Sequence, residues 1–426
     1  MLEVVFPDTS RLENERLCFA TSEAHLFEGR FTRPALAADL LLSLAQVVGS
    51  RFYTPPAMVA RLVRESDPVI TCGLEQMRWE GFSSCCSVYA RVDMEKGALE
   101  GSLISCGTTN VDFGGEFRSA LARARTLSNC GISVGRDYLQ VSAEEQVTER
   151  RVKLPRRWLQ GFVEAQYHQL SMQPFAELSA LEFRRFVQSL PSTASRSNGF
   201  LQKLGKGVRL GFREVRNSLL LSGWDRLKVM QRLLQHSGKV RIFGNSGGAT
   251  AWQMEVPDGV FTLVLSPSRS RGFSGEGQAL YALSFDSDRE LEEKLVGALG
   301  WDTPKTVSEL ASRMERGEEE AERALARLSA RGELGYDLKR EGFYRRDLPF
   351  TPPDLESLHP RLKSARGLLD FVRFEGGRAM VESGDTTYVV SWTEGEASCN
   401  CPWFSGHSLD RGPCKHILAA QWSLRR

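Results

Sequence analysis

Cys399-Asn400-Cys401-Pro402-Trp403-Phe404, a polar stretch, and then Pro413-Cys414-Lys415-His416-Ile417-Leu418-Ala419-Ala420 set the reading of this chain. Three thiols and one imidazole can close a four-coordinate site, the ligand set Zn²⁺ uses when its role is to hold a fold together. Cys-x-Cys followed after twelve residues by Cys-x-His is far more specific than a lone pair of cysteines, because the whole chain holds nine cysteines and six histidines in 426 residues. Val389 to Trp392 alternate as a strand, so a hairpin delivers Cys399 and Cys401, which lie two apart and can turn toward one ion while Asn400 faces away. Pro413 precedes a helix-forming run from His416 to Trp422, and a helix N-terminus favours thiolate charge beside it. With Cys399, Cys401, Cys414 and His416 all engaged, no position is left for a catalytic water. One structural Zn²⁺ per chain is expected, adding roughly 10–16 kcal/mol of apparent binding free energy to the folding of this module.

The residues around the ligands, Pro402-Trp403-Phe404 and Pro413-Cys414-Lys415-His416-Ile417-Leu418-Ala419, resemble the SWIM zinc finger. The resemblance implies a ββα zinc module that binds protein or nucleic acid and does no chemistry. A zinc that only staples the end of the chain fits the same ligands, and both roles stand at this point.

The length allows two or three domains, each with its own core. Apolar residues at 41% and charged residues at 25% match folded globular proteins. No apolar run reaches the ~18 residues of a membrane span, and the longest, Ala35 to Val48, is broken by Asp39. Met1-Leu2-Glu3-Val4-Val5-Phe6 has neither the basic start nor the cleavage site of a signal peptide. An odd cysteine count and a thiolate ligand set point to a reducing compartment, the cytoplasm.

The net charge of +2 conceals a basic middle. Residues 150–250 hold 18 basic against 5 acidic side chains, whereas residues 1–149 hold 14 against 20 and residues 251–426 hold 23 against 28. Such a block meets phosphate, an anionic surface or an acidic partner, or else is neutralised by its own flanks. Its densest part gives a candidate interaction surface, Arg150, Arg151, Lys153, Arg156, Arg157 and Trp158, where arginines beside an exposed indole would suit a nucleic acid or an acidic peptide. A solvated strand edge with Trp158 buried is the competing outcome.

Along the chain, Pro34 opens a helix closed by Gly49, and Pro55-Pro56 opens a second. Ser83–Val92 and Leu99–Cys106 read as strands joined at Lys96-Gly97, with Cys85 and Cys86 as buried filler on the first. Gly107 to Gly115 is a polar turn before a helix from Glu116 to Leu127; it lacks the Gly-Lys-Ser/Thr ending of a phosphate loop. A helix starts at Pro155 and another spans Leu178–Leu190, with linker composition from Pro191 to Gly199. Strands follow at Val208–Phe212 and Ser218–Leu221, then a helix from Trp224 to His236, then strands at Lys239–Phe243, Ala251–Val256 and Val260–Leu265. Gly244 to Gly248 is glycine-rich but joins two strands and reads as a hairpin loop, and the polar loop at 268–277 has no histidine nearby that could serve a serine nucleophile.

From Asp288 onward three amphipathic segments, Glu290–Leu299, Thr306–Met314 with a capping box, and Glu318–Ala330, precede a hairpin over Leu334–Arg345. That order reads as a winged-helix-like module. Its third helix opens with Glu318, Glu319, Glu320 and Glu322, and residues 288–348 carry 12 basic against 15 acidic groups. Phosphate contact dominates affinity for DNA, so this module suits packing or protein contact. The fold class is therefore α+β multidomain: an N-terminal α+β domain over 1–190, a second α+β subdomain over 191–287, the winged-helix-like module over 288–348, and strands plus the zinc finger over 355–426.

This order of parts is similar to bacterial SWIM proteins whose companions are MoxR-type AAA+ ATPases and von Willebrand factor A (VWA) proteins. Segments such as Lys153-Leu154-Pro155-Arg156-Arg157-Trp158-Leu159-Gln160-Gly161-Phe162 and Arg271-Gly272-Phe273-Ser274-Gly275-Glu276-Gly277 carry that similarity. It implies a non-enzymatic adaptor or substrate-recognition subunit acting through protein contacts, with a partner supplying the ATPase. The alternative is a DNA- or RNA-binding protein using the basic 150–250 region and the finger.

Overall fold

Gly259–Leu265 is an unbroken run of apolar and aromatic residues but for Thr262, and together with Thr250–Val256 and Val88–Glu95, which carry Gln253, Arg91 and Asp93 into the interior, it forms the centre of a sheet buried on both faces. The computed structural model describes residues 3–6, 11–13, 15–19, 26–50, 68–111, 113, 115–135, 150–153, 156–191, 199–205, 207–275, 277, 279–283, 288–348, 360–393, 396–409 and 411–424. Contacts divide the chain into two units. The first comprises Met1–Gly161, His168–Phe273 and Trp301–Thr303; the second comprises Phe162–Tyr167, Ser274–Gly300 and Pro304–Arg426.

The first unit is built on an eight-stranded antiparallel sheet in the order Gln173–Ser179, Lys239–Gly244, Thr250–Val256, Gly259–Leu265, Val88–Glu95, Gln76–Phe82, Val69–Cys72, Gly107–Asn110. A second, five-stranded sheet contains one parallel pair, Cys130–Val134 beside Arg16–Phe19. The helix Pro34–Val48 buries Leu40, Leu41, Leu44 and Val48. It lies close enough to the large sheet that a Cβ at Gly81 would come within 2.7 Å of Val48 Cγ2. Its buried Asp39 accepts from Gln235 Nε2 at 2.7 Å and lies 2.9 Å from His236 Nε2 and 3.0 Å from Arg125 Nε. A small sheet, Gly207–Gly211, Gly199–Leu204 and Leu219–Leu221, completes the unit with the 3-10 segment Trp224–Gln235.

Several expectations change here. Because strands on both sides of residue 191 hydrogen-bond within one sheet, no break separates 1–190 from 191–287. Leu99–Leu103 pairs with Phe27–Phe31, not with the preceding strand, so these two segments form no hairpin. Cys85 and Cys86 sit in the turn between Gln76–Phe82 and Val88–Glu95, where Cys86 adopts φ 55. Gly107–Asn110 is a sheet strand, not a loop. Trp224–Gln235 winds as 3-10 turns instead of an α-helix. The helix expected at Pro55-Pro56 lies outside the described residues.

In the second unit three helices, Arg289–Leu299, Val307–Met314 and Glu318–Ala330, enclose Leu291, Leu295, Leu310, Leu325 and Leu328. Leu334–Asp337 and Gly342–Arg345 form an antiparallel hairpin, to which Lys305 adds a bridge at Phe343. Buried Glu292 joins the helices through Arg327 Nε at 2.9 Å and Arg331 Nη1 at 2.6 Å. After the helix Pro360–Arg366 comes a four-stranded antiparallel sheet, Val372–Glu375, Arg378–Ser383, Thr386–Thr393 and Glu396–Cys399. Two short helices, Pro402–His407 and Lys415–Ser423, end the described chain. Among the described residues no helix is long and apolar enough to cross a membrane.

Candidate metal centre

Strand Glu396–Cys399 runs antiparallel to Thr386–Thr393, and its last residue is the first candidate ligand. Asn400 then fastens the exit of the hairpin: its N–H donates to the Val389 carbonyl at 3.3 Å, and its Oδ1 accepts from Val389 N–H at 2.9 Å. Cys401 is the N-cap of Pro402–His407, accepting from Phe404 N–H at 3.4 Å on Sγ. Cys414 plays the same part for Lys415–Ser423, accepting from Ile417 N–H at 3.5 Å. Each of these sulfurs therefore meets a helix-start N–H donor that favours its thiolate. His416, in the first turn of the last helix, completes the group.

The four side chains are buried, and their candidate ligand atoms all lie within 4.8 Å of one another. His416 Nδ1 is 3.8 Å from Cys399 Sγ and 4.0 Å from Cys414 Sγ. A tetrahedral zinc with ordinary Zn–S and Zn–N bonds separates sulfur from nitrogen by about 3.6 Å. The cluster is thus compatible with one structural Zn²⁺, held through Nδ1. The opposite ring nitrogen, Nε2, is buried with no hydrogen-bond partner among the described residues, and the Tyr388 ring stacks on this imidazole at 4.2 Å.

Protonation of the thiols is what crowded sulfurs dictate. The Cys414 thiol is drawn down to about 4 by its hydrogen bond with Cys399, with His416 and the Ile417 N–H adding to the effect. Cys399 is pushed up by that same hydrogen bond and by burial, and Cys401 is pushed up chiefly by burial. A dication at the centre of the group favours all three as thiolates.

Around the ligands, the Arg361 guanidinium lies 4.7 Å over the Trp403 ring and donates from Nη1 to the carbonyls of Arg411 at 2.7 Å and Pro413 at 3.0 Å. Lys415 Nζ donates to Ser383 Oγ at 2.9 Å. Beneath lies an apolar core of Leu362, Ala379, Val381, Val390, Ile417 and Leu418. The ligands are readable from their spacing, whereas Cys401 as a helix cap is missed. Its signal is Pro402 at the first helical position directly after it.

The basic candidate surface is placed differently. Arg150–Lys153 is a strand paired antiparallel with Glu3–Phe6, and Arg156, Arg157 and Trp158 open the helix Arg156–Leu170. Trp158 is 0% exposed, with the Phe82 ring set edge-on at 5.7 Å, so of the two readings of this segment the one with a buried indole holds and Trp158 is not part of an interaction surface. The side chains of Arg150, Arg151, Lys153, Arg156 and Arg157 lie outside the described residues. At 244–248 the loop is a hairpin turn in which Asn245 Oδ1 accepts from Ala249 N–H, and at 268–277 Phe273 is buried.

Residues 388–423 match the SWIM zinc finger family. No curated protein matches the chain. Among solved structures, one similar to this chain is described as the crystal structure of Proliferating Cellular Nuclear Antigen from Entamoeba histolytica, at 11% identity, covering 57% of this chain and 100% of that chain. Its TM-score of 0.36 is too low to bear on fold or function.

Proposed function

We propose that this chain is a non-enzymatic, cytoplasmic adaptor or substrate-recognition subunit that works through protein contacts. In this reading it serves a chaperone-like system with a MoxR-type AAA+ ATPase and a VWA protein as partners. The observation that carries the reading is the closed ligand set: four buried donors converge on one centre, which suits a metal that shapes a surface. The helices from Arg289 to Ala330 and the following hairpin are read as a winged-helix-like module. The acidic first turn of Glu318–Ala330 supports protein contact there over DNA contact. The ATPase and VWA partners rest on the order of parts in the sequence.

Two measurements test the proposal on the intact protein. Metal analysis of protein purified without chelator should give one zinc per chain, and Cys414→Ser should lose it together with the folding of the C-terminal module. A tagged chain in its native cell should bring down a MoxR-type ATPase and a VWA protein, and Cys399→Ser/Cys401→Ser should bring down neither. A zinc-free folded protein sinks the metal centre; zinc-loaded protein that never co-purifies with those partners sinks the adaptor role.

A further inference from the structure

Among the described residues the first unit carries a group of cations with no carboxylate paired to them. Residues 180–236 hold 11 basic and 3 acidic side chains. The helix Ala180–Ser189 packs against both the strand Gly207–Gly211 and the 3-10 segment Trp224–Gln235, so the three elements adjoin. Arg184 and Arg185 on the helix, Arg213 and Arg216 in the loop after the strand, and Lys228 and Arg232 on the 3-10 segment are all exposed. Among the described residues none of these six has a carboxylate within ion-pair distance. Nearby cations behave otherwise: Lys239 and Arg241 both pair with Glu177, and Arg226 and Arg269 share Asp225.

The loop from Phe212 to Asn217 is anchored from below. Gln202 Nε2 donates to the Arg213 carbonyl at 2.9 Å, and Arg209 Nε donates to Gln202 Oε1 at 3.0 Å. At its start Phe212 is 56% exposed, its ring meeting Trp224 edge-on at 6.2 Å, which leaves a face open to solvent. Five of the six unpaired cations are arginines, whose planar fork matches phosphate oxygens better than lysine does. Cations beside an exposed aromatic ring are the two components of a single-strand binding surface, phosphate contact and base stacking.

We infer that this face binds single-stranded nucleic acid, with Arg213 and Arg216 on the backbone and Phe212 stacking on a base. The site lies in the first unit and is independent of the zinc finger and of the adaptor reading. Fluorescence anisotropy of the full-length protein with a labelled single-stranded oligonucleotide tests it. If about four phosphates are neutralised, affinity falls about 50-fold between about 50 and 200 mM salt. Arg213→Ala/Arg216→Ala should weaken binding roughly tenfold at the lower salt and flatten that dependence. Phe212→Leu, which keeps an apolar side chain against Trp224, should weaken the single strand and leave a duplex unaffected. Arg184→Ala/Arg185→Ala offers a second pair on a separate element should the loop variant prove unstable. Absence of binding at low salt, indifference to both arginine pairs, preference for duplex, or equal displacement by poly-glutamate, the mark of an acidic protein ligand, would each overturn the inference.

Discussion

His168 shows how burial alone can make a residue sensitive to acid. Its side chain is 2% exposed, and burial pulls its pKa down to about 4. The ring is therefore neutral near pH 7, with Asn245 Nδ2 3.2 Å from its Nδ1 and donating to the His168 carbonyl and to Ser171 Oγ, each at 3.0 Å. In the unfolded chain the same group titrates near 6.5. Between those values the unfolded chain holds the extra proton, so stability drains away as pH falls from about 6.5 toward 4 and levels off below. Denaturant titrations at several pH values should show that loss. In His168→Gln, which cannot titrate, the slope should be shallower by about one proton; an unchanged slope would place the acid sensitivity elsewhere. The zinc ligands are the opposite case at this scale. They are legible without a structure because each pair lies within two residues, whereas the burial of Trp158 depends on Phe82, far away in sequence.

Elements whose boundaries are set by local chemistry follow the sequence closely. Thr306 Oγ1 accepts from Glu309 N–H at 3.2 Å, and the Glu309 carboxylate accepts from Thr306 N–H at 2.7 Å, the reciprocal pair that opens Val307–Met314. The Thr306 N–H, ahead of its hydroxyl, holds the Glu309 carboxyl below the ordinary range. That contribution is present above the unfolded value of about 4.3 and is lost as pH falls through the folded one. Thr306→Ala should cost about 1 kcal/mol at neutral pH, measured by denaturant unfolding; a change near zero would mean the helix start is fixed by packing instead. The strand Gln76–Phe82 is harder to read for a physical reason. Arg78, Glu80 and their neighbour Asp93 are charged residues that a sequence pattern assigns to the surface, yet all three are buried. Arg78 Nε donates to Asp93 Oδ1 at 2.7 Å, Arg91 Nε to Asp93 Oδ2 at 2.8 Å, and Tyr89 OH to Glu80 Oε1 at 2.6 Å. Charges that are paired and hydrogen-bonded can occupy interior positions, and the partner that permits this is not written beside them in the chain.

At the scale of the molecule, sheet order decides which stretches can fold without the rest. Val88–Glu95 has Gln76–Phe82 on one side, but on the other it pairs along its length, Val88 to Met94, with Gly259–Leu265, more than 160 residues away. Among the described residues Gln173–Ser179 pairs only with Lys239–Gly244. Local periodicity marks Ser83–Val92, Lys239–Phe243 and Val260–Leu265 as extended, passes over Gln76–Phe82 and Gln173–Ser179, and is silent on who neighbours whom. The polar, turn-rich stretch after Pro191 therefore reads as a boundary although one sheet continues past it. A chain ending at residue 190 would keep Val88–Glu95 with a bare apolar edge and leave Gln173–Ser179 without a partner strand. Unpaired backbone groups on such an edge invite pairing between copies. Residues 1–190 produced alone should therefore aggregate, or show no cooperative thermal transition by circular dichroism. Adding residues 191–273 restores the missing strands and should restore solubility. A soluble 1–190 fragment that unfolds cooperatively would show that the pairing across residue 191 contributes little to the stability of the first unit.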